Sequence, residues 1–421
     1  MRVVVVGQGY VGLPLALRAA EAGHQVIGYD TDEWKVKRLA NGETYINSIP
    51  GADIAPLLAN GTYRPTSDEN ELRGFDIAVI SVPTPLRDGA PDLSYVESAA
   101  GMLARVLSPG ATIVLESTTY PGTTTGVVGP LIESQSGMVA GRDFHLGFSP
   151  ERMAPQQPEW GLHNTPKLVS GIDDASLEAV DAFYRTVVGQ TVRVSGCAEA
   201  ELAKLLENTF RFVNIALVNE LAVHSHALGV DVWEAIEAAG SKPFGFMKFT
   251  PGPGVAGHCL PIDPHYLTWW VERGVGRRFQ IVDSAYDVNH DMPLYVARRV
   301  AEGLNSRARS VRGARVLLLG LARRNTDDVR ESVTARVIRE LRRLGADVHV
   351  ADPHVPAEAL GTREALEGAR QVEATPAELA SADVVVVLED HDSFDFDEVV
   401  QHAGYVFDCR RRTHGAQVEI L

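Results

Sequence analysis

One segment combines a cysteine and an aspartate with several helix-breaking residues. It runs from Pro251 to Pro264 and contains Cys259 and Asp263. Its prolines and glycines predict an irregular loop. A structural cysteine usually lies in an apolar run, whereas Cys259 lies in a backbone rich in exposed N–H groups, which can lower the pKa of a thiol. Cys259 is therefore a candidate nucleophile, and a purely structural cysteine is the alternative.

A second set of polar side chains has helical spacing. Lys204, Asn208 and Arg211 occupy positions i, i+4 and i+7, so they share one face of a helix. Asparagine is a poor helix former. Its repetition at Asn208, Asn214 and Asn219 therefore suggests a role beyond helix propensity. A functional face is one interpretation, and a solvated polar face is the other.

A glycine-rich turn follows the first apolar run, with the sequence Gly7-Gln8-Gly9-Tyr10-Val11-Gly12. Such a turn lets the backbone approach a pyrophosphate at a helix N-terminus. Asp30 lies at the end of the next predicted strand, where its carboxylate can accept hydrogen bonds from a ribose. This context predicts a dinucleotide site, and a tight turn without a ligand is the alternative. Asp30 favours NAD over NADP because a carboxylate repels a 2′-phosphate, although Lys35 and Lys37 lie nearby.

These residues need elements that position them, and strand and helix signals alternate from the first residue. The patterns predict strands at 3–6, 25–29, 77–81 and 112–116, with helices at 13–22 and 34–39. The strands are nearly continuous apolar runs, which are typical of parallel sheets buried on both faces. The first domain is therefore predicted to be α/β.

From about residue 195 the pattern predicts one long helix. Gly196 is a possible N-cap and Gly229 a plausible stop, so the helix covers roughly thirty residues and about 45 Å. A helix of that length joins domains or forms the spine of a dimer. Two helices broken near Asn219 are the alternative.

Alternation resumes after a helix-rich stretch that includes residues 286–304. Strands are predicted at 316–319, 348–351, 384–388 and 405–407, with a helix at 333–344. This is a second α/β domain. No internal repeat is visible in the sequence, although the two α/β ends could look alike in space.

Composition limits the classes of function. The chain has 421 residues, which corresponds to two to three domains at roughly 150 residues each. No apolar run approaches the ~20 residues that cross a bilayer. The net charge of −16 argues against nucleic-acid binding, which requires a basic surface, and an anionic substrate must meet local positive charge.

Localisation and cysteine usage follow from the same composition. The N-terminus enters a strand directly and lacks the features of a signal peptide, so the cytoplasm is expected. Cys197, Cys259 and Cys409 are odd in number and far apart, which indicates neither a disulfide framework nor a zinc site. No metal is expected.

Taken in order, the motifs resemble those of the UDP-glucose/GDP-mannose dehydrogenase family. The resemblance covers nearly the whole chain: the glycine turn, VPTP at 82–85, ESTTYPGTT at 116–124, SPER at 149–152, the helix at 203–220, the cysteine loop and DDVRES at 327–332. It implies two Rossmann-like, doubly wound parallel-sheet domains joined by a central helical domain with a long connecting helix. The implied parts are an NAD-binding domain at 1–194, a dimerisation domain with the cysteine loop at 195–305, and a UDP-binding domain at 306–421.

The resemblance also implies a reaction. Within the family, TYPGTT at 119–124, PFGFM at 243–247 and His258 are most similar to bacterial enzymes that oxidise UDP-N-acetylglucosamine. Enzymes for UDP-N-acetylmannosamine come next, and UDP-glucose is a further alternative. The implied reaction is the NAD-dependent four-electron oxidation of the sugar C6 alcohol to a carboxylate, in a homodimer formed through the central helix. A thiohemiacetal and then a thioester form on Cys259.

The remaining roles are likewise implied by the resemblance. Lys204 and Asn208 would form an oxyanion pocket, Asp263 and Thr118 would activate water, and Glu151 would relay protons. Cys197, Cys409 and His258 match no functional position, and His258 is expected to pack within its loop. The implied cofactor contacts are Gly7, Gly9, Tyr10, Val11, Gly12, Asp30, Lys35, Pro83, Thr84, Thr118 and Arg330. The implied substrate contacts are Glu151, Arg152, Lys204, Asn208, Arg211, Phe249, Gly254 and Gly257.

The chain departs from the family pattern in segments that face the substrate. Ala256 replaces a usual glycine, Val333 replaces a common proline, Pro155-Gln156 replaces Pro-Gly, and Arg323-Arg324 replaces an aromatic-lysine pair. The residues with implied chemical roles are intact. The reaction class is therefore better supported than the identity of the sugar.

Two rival functions remain open. A single-step dehydrogenase of the hydroxyacid type would share the glycine turn and a helical lysine but would have no use for Cys259. Counting the NADH formed per substrate separates the two. A dinucleotide-sensing or scaffold protein that kept the fold but lost turnover is the other rival. NADH production from UDP-sugars would exclude it.

Overall fold

The computed structural model describes residues 1–46, 49–153, 159–257, 259–356 and 365–421, with the backbone alone for Cys259. The chain forms two compact units that exchange segments. The first contains Met1–Glu207 and His265–Arg277, and the second contains Asn208–Pro264 and Arg278–Leu421. Within the described ranges, no helix is long and apolar enough to cross a membrane.

The first unit is built on a sheet in which all neighbouring strands are parallel except β8 and β9. Its order is β10-β9-β8-β7-β4-β1-β2-β3, so the run from β3 to β8 has the 3-2-1-4-5-6 order typical of dinucleotide-binding folds. A separate hairpin contains β5 and β6. The strands are β1 Arg2–Val6, β2 Gln25–Tyr29, β3 Tyr63–Thr66, β4 Ile77–Ile80, β5 Leu86–Arg87, β6 Ala90–Pro91, β7 Thr112–Leu115, β8 His145–Phe148, β9 Lys167–Gly171 and β10 Thr191–Arg193.

Helices cover both faces of this sheet. The predicted strands and helices of the first domain are confirmed, with boundaries that move by one residue at most. Apolar strand residues alternate between two buried clusters on the two faces, which is why the strands read as continuous apolar runs. The helices are α1 Gly12–Glu21, α2 Glu33–Ala40, α3 Gly51–Ala59, α4 Ser94–Val106, α5 Gly129–Ser136 and α6 Asp174–Val187, with a short 3₁₀ helix at Glu69–Leu72 and a π-helical turn at Thr124–Val128.

The long helix α7, Cys197–Leu228, is continuous. It begins directly after Gly196 and ends before Gly229, whose φ of 70° is left-handed, as expected for a helix stop. The alternative of two helices broken near Asn219 is therefore wrong. Asn219 is fully buried, and its amide donates to Asn289 Oδ1 at 2.9 Å and accepts from the Gly252 backbone N–H at 2.9 Å.

The segment after Cys259 is a helix, so the prediction of an irregular loop extending to Pro264 is wrong there. The structure has α8 at Val232–Gly240, α9 at Cys259–Val275 and α10 at Gln280–Ser306. Pro261 lies in the first turn of α9, where a helix leaves its backbone N–H groups unpaired, and proline is tolerated there. Pro261 therefore belongs to a helix start, whereas Pro264 lies inside the helix.

The second unit contains an entirely parallel sheet with the order β13-β12-β11-β14-β15-β16. This again is the 3-2-1-4-5-6 order, which confirms the expectation that the two α/β ends resemble each other. Helix α11 follows β11, and two short helices cover Pro376–Ser381 and Phe396–His402. The elements are β11 Arg315–Leu319, α11 Val333–Arg343, β12 Asp347–Ala351, β13 Arg370–Gln371, β14 Val384–Val387, β15 Val406–Asp408 and β16 Val418–Ile420.

Candidate active site

The glycine turn lies between the ends of β1 and β4, where the strand order of the first sheet reverses. Gly7 has φ +92°, and a Cβ on it would lie 2.6 Å from the Ser81 carbonyl oxygen. A Cβ on Gly12 would lie 1.9 Å from the Gly7 carbonyl oxygen. A Cβ on Gly9 would meet no atom within 4 Å. The outer glycines are thus required by packing, whereas Gly9 leaves open space where a ligand can approach.

Asp30 follows β2 and is buried next to this turn. One carboxylate oxygen accepts from the Gln8 backbone N–H at 2.8 Å, and the other accepts from the Asp32 backbone N–H at 2.9 Å. Lys35 Nζ lies 3.5 Å from the same carboxylate. The residues present fit a dinucleotide, with open space at Gly9 for the pyrophosphate and a fixed carboxylate for the ribose.

Pro83 and Thr84 follow β4, which is the neighbour of β1 where the strand order of the sheet reverses. Pro83 is exposed and Thr84 is buried. The Tyr266 hydroxyl donates to the Thr84 carbonyl oxygen, which ties helix α9 to this loop inside the first unit. Tyr10 is exposed, while Val11 and Thr118 are half-buried.

Lys204 and Glu151 are brought together inside the first unit. Lys204 is buried on α7, and its Nζ donates to the Glu151 carbonyl oxygen at 2.6 Å and lies 3.7 Å from the Glu151 carboxylate. Burial raises the pKa of Glu151, while the charges of Lys204 and Lys167 oppose that shift. A carboxyl group with a raised pKa beside an ammonium is suited to proton transfer.

A buried charged cluster that the sequence did not predict interacts electrostatically with Glu151. Glu116 pairs with Lys167, and its second oxygen accepts from the Tyr184 hydroxyl at 2.9 Å. Lys167 Nζ also lies 5.0 Å from the centre of the Tyr184 ring. The only sequence signal was Glu116 at the start of the ESTTYPGTT motif, and its partners lie more than fifty residues away.

Glu201 explains part of the same motif. Its buried carboxylate accepts from the backbone N–H groups of Gly122 at 2.6 Å and Thr124 at 2.9 Å, and from the Thr124 hydroxyl at 2.6 Å. These hydrogen bonds hold α7 in place at Glu201, about one helical turn before Lys204. The glycine and threonine of the motif therefore bind a carboxylate of the chain itself, a contact that the sequence did not predict.

Arg152 is engaged by groups of its own unit. Its guanidinium lies 2.6 Å from a Glu207 carboxylate oxygen and donates to the Pro166 carbonyl oxygen at 2.6 Å. These contacts fix the Arg152 side chain within the first unit. Pro155-Gln156 lies outside the described residues.

Asn208 and Asp263 are brought together inside the second unit. Both are buried, and Asn208 Nδ2 donates to Asp263 Oδ2 at 2.5 Å. From the sequence, Asn208 is expected in the oxyanion pocket and Asp263 at the attacking water, so the contact between them was not predicted. The hydrogen bond fixes the orientation of the amide and of the carboxylate.

The loop from Pro251 to Gly257 is shaped by residues of the second unit. Gly254 has φ +131° and Gly257 has φ +94°, conformations that favour glycine. A Cβ on Gly257 would lie 3.0 Å from Arg323 Cδ and Nη1. His258, which was predicted to pack within this loop, lies outside the described residues. For Cys259 the structure gives the backbone position, at the start of α9.

The other predicted contact residues lie nearer the surface. Arg211 is exposed on α7, unlike the buried Lys204 and Asn208. Arg330 is exposed, and its guanidinium pairs with both oxygens of Asp328 at 2.7 and 2.9 Å. Phe249 is half-buried, and its ring centre lies 5.8 Å from that of Phe210.

The other two cysteines are buried. Burial raises the pKa of Cys197 to about 12 and also raises the pKa of Cys409. Thiols with such pKa values are poor nucleophiles at neutral pH. The structure therefore agrees with the interpretation that neither cysteine takes part in chemistry.

Three consecutive family models match the chain. They describe the NAD binding domain, the central domain and the UDP binding domain of the UDP-glucose/GDP-mannose dehydrogenase family, and they cover residues 1–188, 198–291 and 317–414. The three models occur in the same order as the motifs and cover most of the chain.

Individual relatives agree with these matches. The chain is 35% identical to a UDP-N-acetyl-D-mannosamine dehydrogenase of Pyrococcus horikoshii, over 94% of this chain and 90% of the relative. It is 36% identical to a UDP-N-acetyl-D-glucosamine 6-dehydrogenase of Pseudomonas aeruginosa, over 85% and 84%.

Solved structures extend the likeness to the fold. A UDP-D-ManNAc dehydrogenase of Pyrococcus horikoshii matches with a TM-score of 0.89 and 31% identity, covering 100% of this chain and 99% of that one. A UDP-glucose dehydrogenase of Pyrobaculum islandicum matches with a TM-score of 0.87 and 29% identity, covering 100% and 96%. The chain therefore belongs to the UDP-glucose/GDP-mannose dehydrogenase family of NAD-dependent nucleotide-sugar dehydrogenases.

Proposed function

We propose that the chain oxidises the C6 alcohol of UDP-N-acetylglucosamine to the carboxylate in two steps. The observation that carries this proposal is the succession of three family models over one chain that keeps every residue with an implied chemical role. The 36% identical relative acts on this sugar, which supports the choice of substrate. UDP-N-acetylmannosamine is the second candidate, because another full-length relative and a matching structure are dehydrogenases of that sugar.

The cofactor would be held by the glycine turn, Asp30 and the loop after β4. Bound NAD supplies a hydride acceptor for each of the two oxidations. Gly9 leaves the backbone open for the pyrophosphate, and Asp30 directs a carboxylate to the ribose. We assign supporting contacts with the cofactor to Lys35, Pro83, Thr84 and Arg330.

Two residues of α7 stabilise negative charge on the substrate in this proposal. Lys204 and Asn208 present an ammonium and an amide donor, and removing one such donor in comparable sites costs about 3 kcal/mol. Contacts with Glu151 and Asp263 hold these two side chains in place. Glu151, whose pKa is raised, accepts and returns the proton of the C6 hydroxyl.

Cys259 forms the covalent intermediate in this mechanism. Its thiolate adds to the C6 aldehyde, forming a C–S bond and a thiohemiacetal that still carries a C–H bond. Loss of the thiohemiacetal hydroxyl proton to Glu151 and of the C6 hydrogen as hydride gives a thioester. Water activated by Asp263 and Thr118 then attacks the carbonyl carbon, the C–S bond breaks, and the cysteine leaves as thiolate. The product is a uronate.

We also propose three functional parts and a homodimer. Residues 1–194 bind NAD, 195–305 carry the dimer contact and the cysteine loop, and 306–421 bind the UDP group, in agreement with the ranges of the family models. Large apolar side chains are exposed along α7 at intervals of four or seven residues, a spacing typical of paired helices. They are Leu202, Leu206, Phe210, Leu217, Leu221 and Leu228. We propose that the protein works in the cytoplasm, where NAD and nucleotide sugars are available.

The test is NADH formation from UDP-N-acetylglucosamine, UDP-N-acetylmannosamine, UDP-glucose and GDP-mannose. We expect two NADH per sugar and a uronate product, with UDP-N-acetylglucosamine giving the highest kcat/KM. One NADH per sugar, or a free aldehyde as the product, would contradict the double oxidation. NAD binding without turnover of any of the four sugars would contradict the enzymatic function.

A further inference from the structure

Asn219 belongs to a chain of hydrogen bonds that ends at the cysteine loop. Its side-chain oxygen accepts from the Gly252 backbone N–H at 2.9 Å, and its Nδ2 donates to Asn289 Oδ1 at 2.9 Å. Asn289 Nδ2 in turn donates to the Phe212 carbonyl oxygen at 3.2 Å. All four residues belong to the second unit. This hydrogen-bond chain therefore ties α7 and α10 to the start of the loop that leads to Cys259.

The hydrogen-bond chain is removed from water. Asn219 is 0% exposed and Asn289 is 4% exposed. Asparagine is a poor helix former, and a buried amide costs free energy unless its polar atoms are paired. An apolar side chain would fill the same space without that requirement. The hydrogen bonds to Gly252 and Phe212 are therefore what these two amides add over apolar residues at the same positions.

A proline in α10 brings a second contact to the same loop. Pro293 lies inside α10, four residues after Asn289, and has no N–H to donate to the Asn289 carbonyl oxygen. That oxygen lies 3.1 Å from the position of a Cβ on Gly254, where φ is +131° and glycine is favoured. The backbone of Asn289 therefore lies against the loop that its side chain helps to hold through Asn219.

Apolar packing at Val255 adds a third restraint. Val255 is buried in a cluster with Phe212, Ala216 and Ala285, which come from α7 and α10. It precedes Cys259 by four residues. The loop from 251 to 255 is thus held by hydrogen bonds, by close backbone packing and by apolar contacts. Restraints this close to the nucleophile limit where its backbone can lie.

We propose that Asn219 and Asn289 are positioning residues for the covalent step, an inference that rests on the proposed function. The aldehyde made in the first oxidation has no bond to the enzyme, so it is retained only if the Cys259 thiolate adds to C6 faster than the aldehyde leaves. A reacting group misplaced by about 1 Å can react about a hundredfold more slowly. By fixing the loop, the two amides keep the addition ahead of aldehyde release.

The test measures how the aldehyde is divided between uronate and release. Semicarbazide traps released aldehyde, and mass spectrometry counts it against the uronate formed from the UDP-sugar that the wild type oxidises best. Asn219→Leu keeps the branched shape but removes both hydrogen bonds, so we expect the ratio of aldehyde to uronate to rise about tenfold or more. The affinity for NAD should stay unchanged.

Variants of the same hydrogen-bond chain make the prediction more specific. Asn289→Ala should release aldehyde like Asn219→Leu, and the double variant should add little, because the two amides act as one unit. Asn219→Asp keeps an acceptor for the Gly252 N–H and should release less aldehyde than Asn219→Leu.

Two controls separate positioning from a loss of stability. Asn214→Leu makes the same substitution at an amide that donates to the Phe210 carbonyl oxygen within α7, and it should behave like the wild type. Val385→Ala opens the buried cluster on the face of the second unit's sheet opposite to the one that Ala256 packs against. It should lower stability without raising the ratio of aldehyde to uronate.

Several outcomes would overturn the proposal. A wild-type ratio of aldehyde to uronate in Asn219→Leu or Asn289→Ala would refute it, and so would an equal rise in Val385→Ala. If Asn219→Leu does not fold, Asn289→Ala decides the question. Free aldehyde as the end product of the wild type would contradict the proposed function itself. Uronate from the wild type, together with an unchanged ratio in the variants, would contradict this inference alone.

Discussion

At the scale of single residues, the site depends on polar side chains that are fixed in pairs. The residue types with an implied chemical role, and their order, can be read along the chain. They do not predict that Lys204 contacts Glu151 or that Asn208 contacts Asp263, since these partners are about fifty residues apart and meet only after folding. Their pairing restricts the orientation of each group before substrate arrives.

The raised pKa of Glu151 predicts the pH dependence of the reaction. Protonated Glu151 cannot accept the substrate proton, so kcat/KM should fall as the pH falls through the pKa of this group, above the ordinary value of 4.5. Glu151→Gln should lower kcat/KM by about 10²-fold or more and remove this acid limb. The measurement is kcat/KM against pH, with Glu97→Gln, an exposed glutamate on α4, as the control.

The same shift gives a prediction for stability with a definite sign. Burial favours neutral Glu151 in the folded protein, so its contribution to folding is complete below pH 4.5 and is lost as the pH rises through the higher folded pKa. Glu151→Gln should therefore gain stability relative to the wild type as the pH rises above 4.5. Urea unfolding at several pH values would show this, and a difference that stays constant with pH would contradict it.

The covalent mechanism makes a sharp prediction for Cys259. Cys259→Ala should lower uronate formation by at least about a thousandfold, because no thioester can form. Its affinity for NAD should stay nearly unchanged, which equilibrium titration would measure. Cys409→Ala is the control, since Cys409 is fully buried and has a raised pKa. Wild-type turnover in the Cys259 variant, or a trapped acyl group on another residue, would refute the mechanism.

At the scale of elements, strands were predictable because both faces of each sheet are buried. The four successive β-branched valines of β1 favour a strand buried on both faces. The cysteine segment was harder, because proline disfavours a helix interior but is tolerated in its first turn, and composition does not distinguish the two. Helix α9 therefore begins at Cys259, within the segment that was expected to be a loop as far as Pro264.

The contact between Glu201 and the ESTTYPGTT motif should control how firmly α7 is held. Glu201→Gln places an amide N–H₂ among three donors, so we expect a loss of roughly 1–3 kcal/mol in the free energy of unfolding. Glu220→Gln, at an exposed position on the same helix, should change stability little. Denaturant unfolding monitored by circular dichroism would compare the two. Equal stability of both variants would show that the contact does not hold the helix.

At the scale of the whole molecule, the exposed apolar side chains of α7 predict association. Leu217 and Leu221 are 54% and 45% exposed, one turn apart. The double variant Leu217→Asp, Leu221→Asp should be monomeric, because burying two carboxylates in an apolar contact is costly. Analytical ultracentrifugation would measure the mass. Tyr95→Asp, at an exposed aromatic position on α4, is the control and should remain dimeric.

A monomeric wild type at micromolar concentration would contradict the dimer proposal. So would a double variant that keeps the mass of a dimer. Circular dichroism of the variant would establish that the loss of mass is not caused by unfolding, since both positions are exposed in the single chain.

The exchange of segments between the two compact units limits how the molecule can be cut. The first unit includes His265–Arg277, which lies far beyond the first 207 residues in sequence. Within that segment Tyr266 donates to the Thr84 carbonyl oxygen, and Trp269 lies 4.9 Å from Tyr120, ring centre to ring centre. A recombinant fragment that stops at the end of the first sheet would lack both contacts and expose the aromatic surface they cover. Truncation is therefore a poor route to an isolated NAD-binding fragment, whereas a fusion that carries 265–277 on a short linker would restore the missing surface.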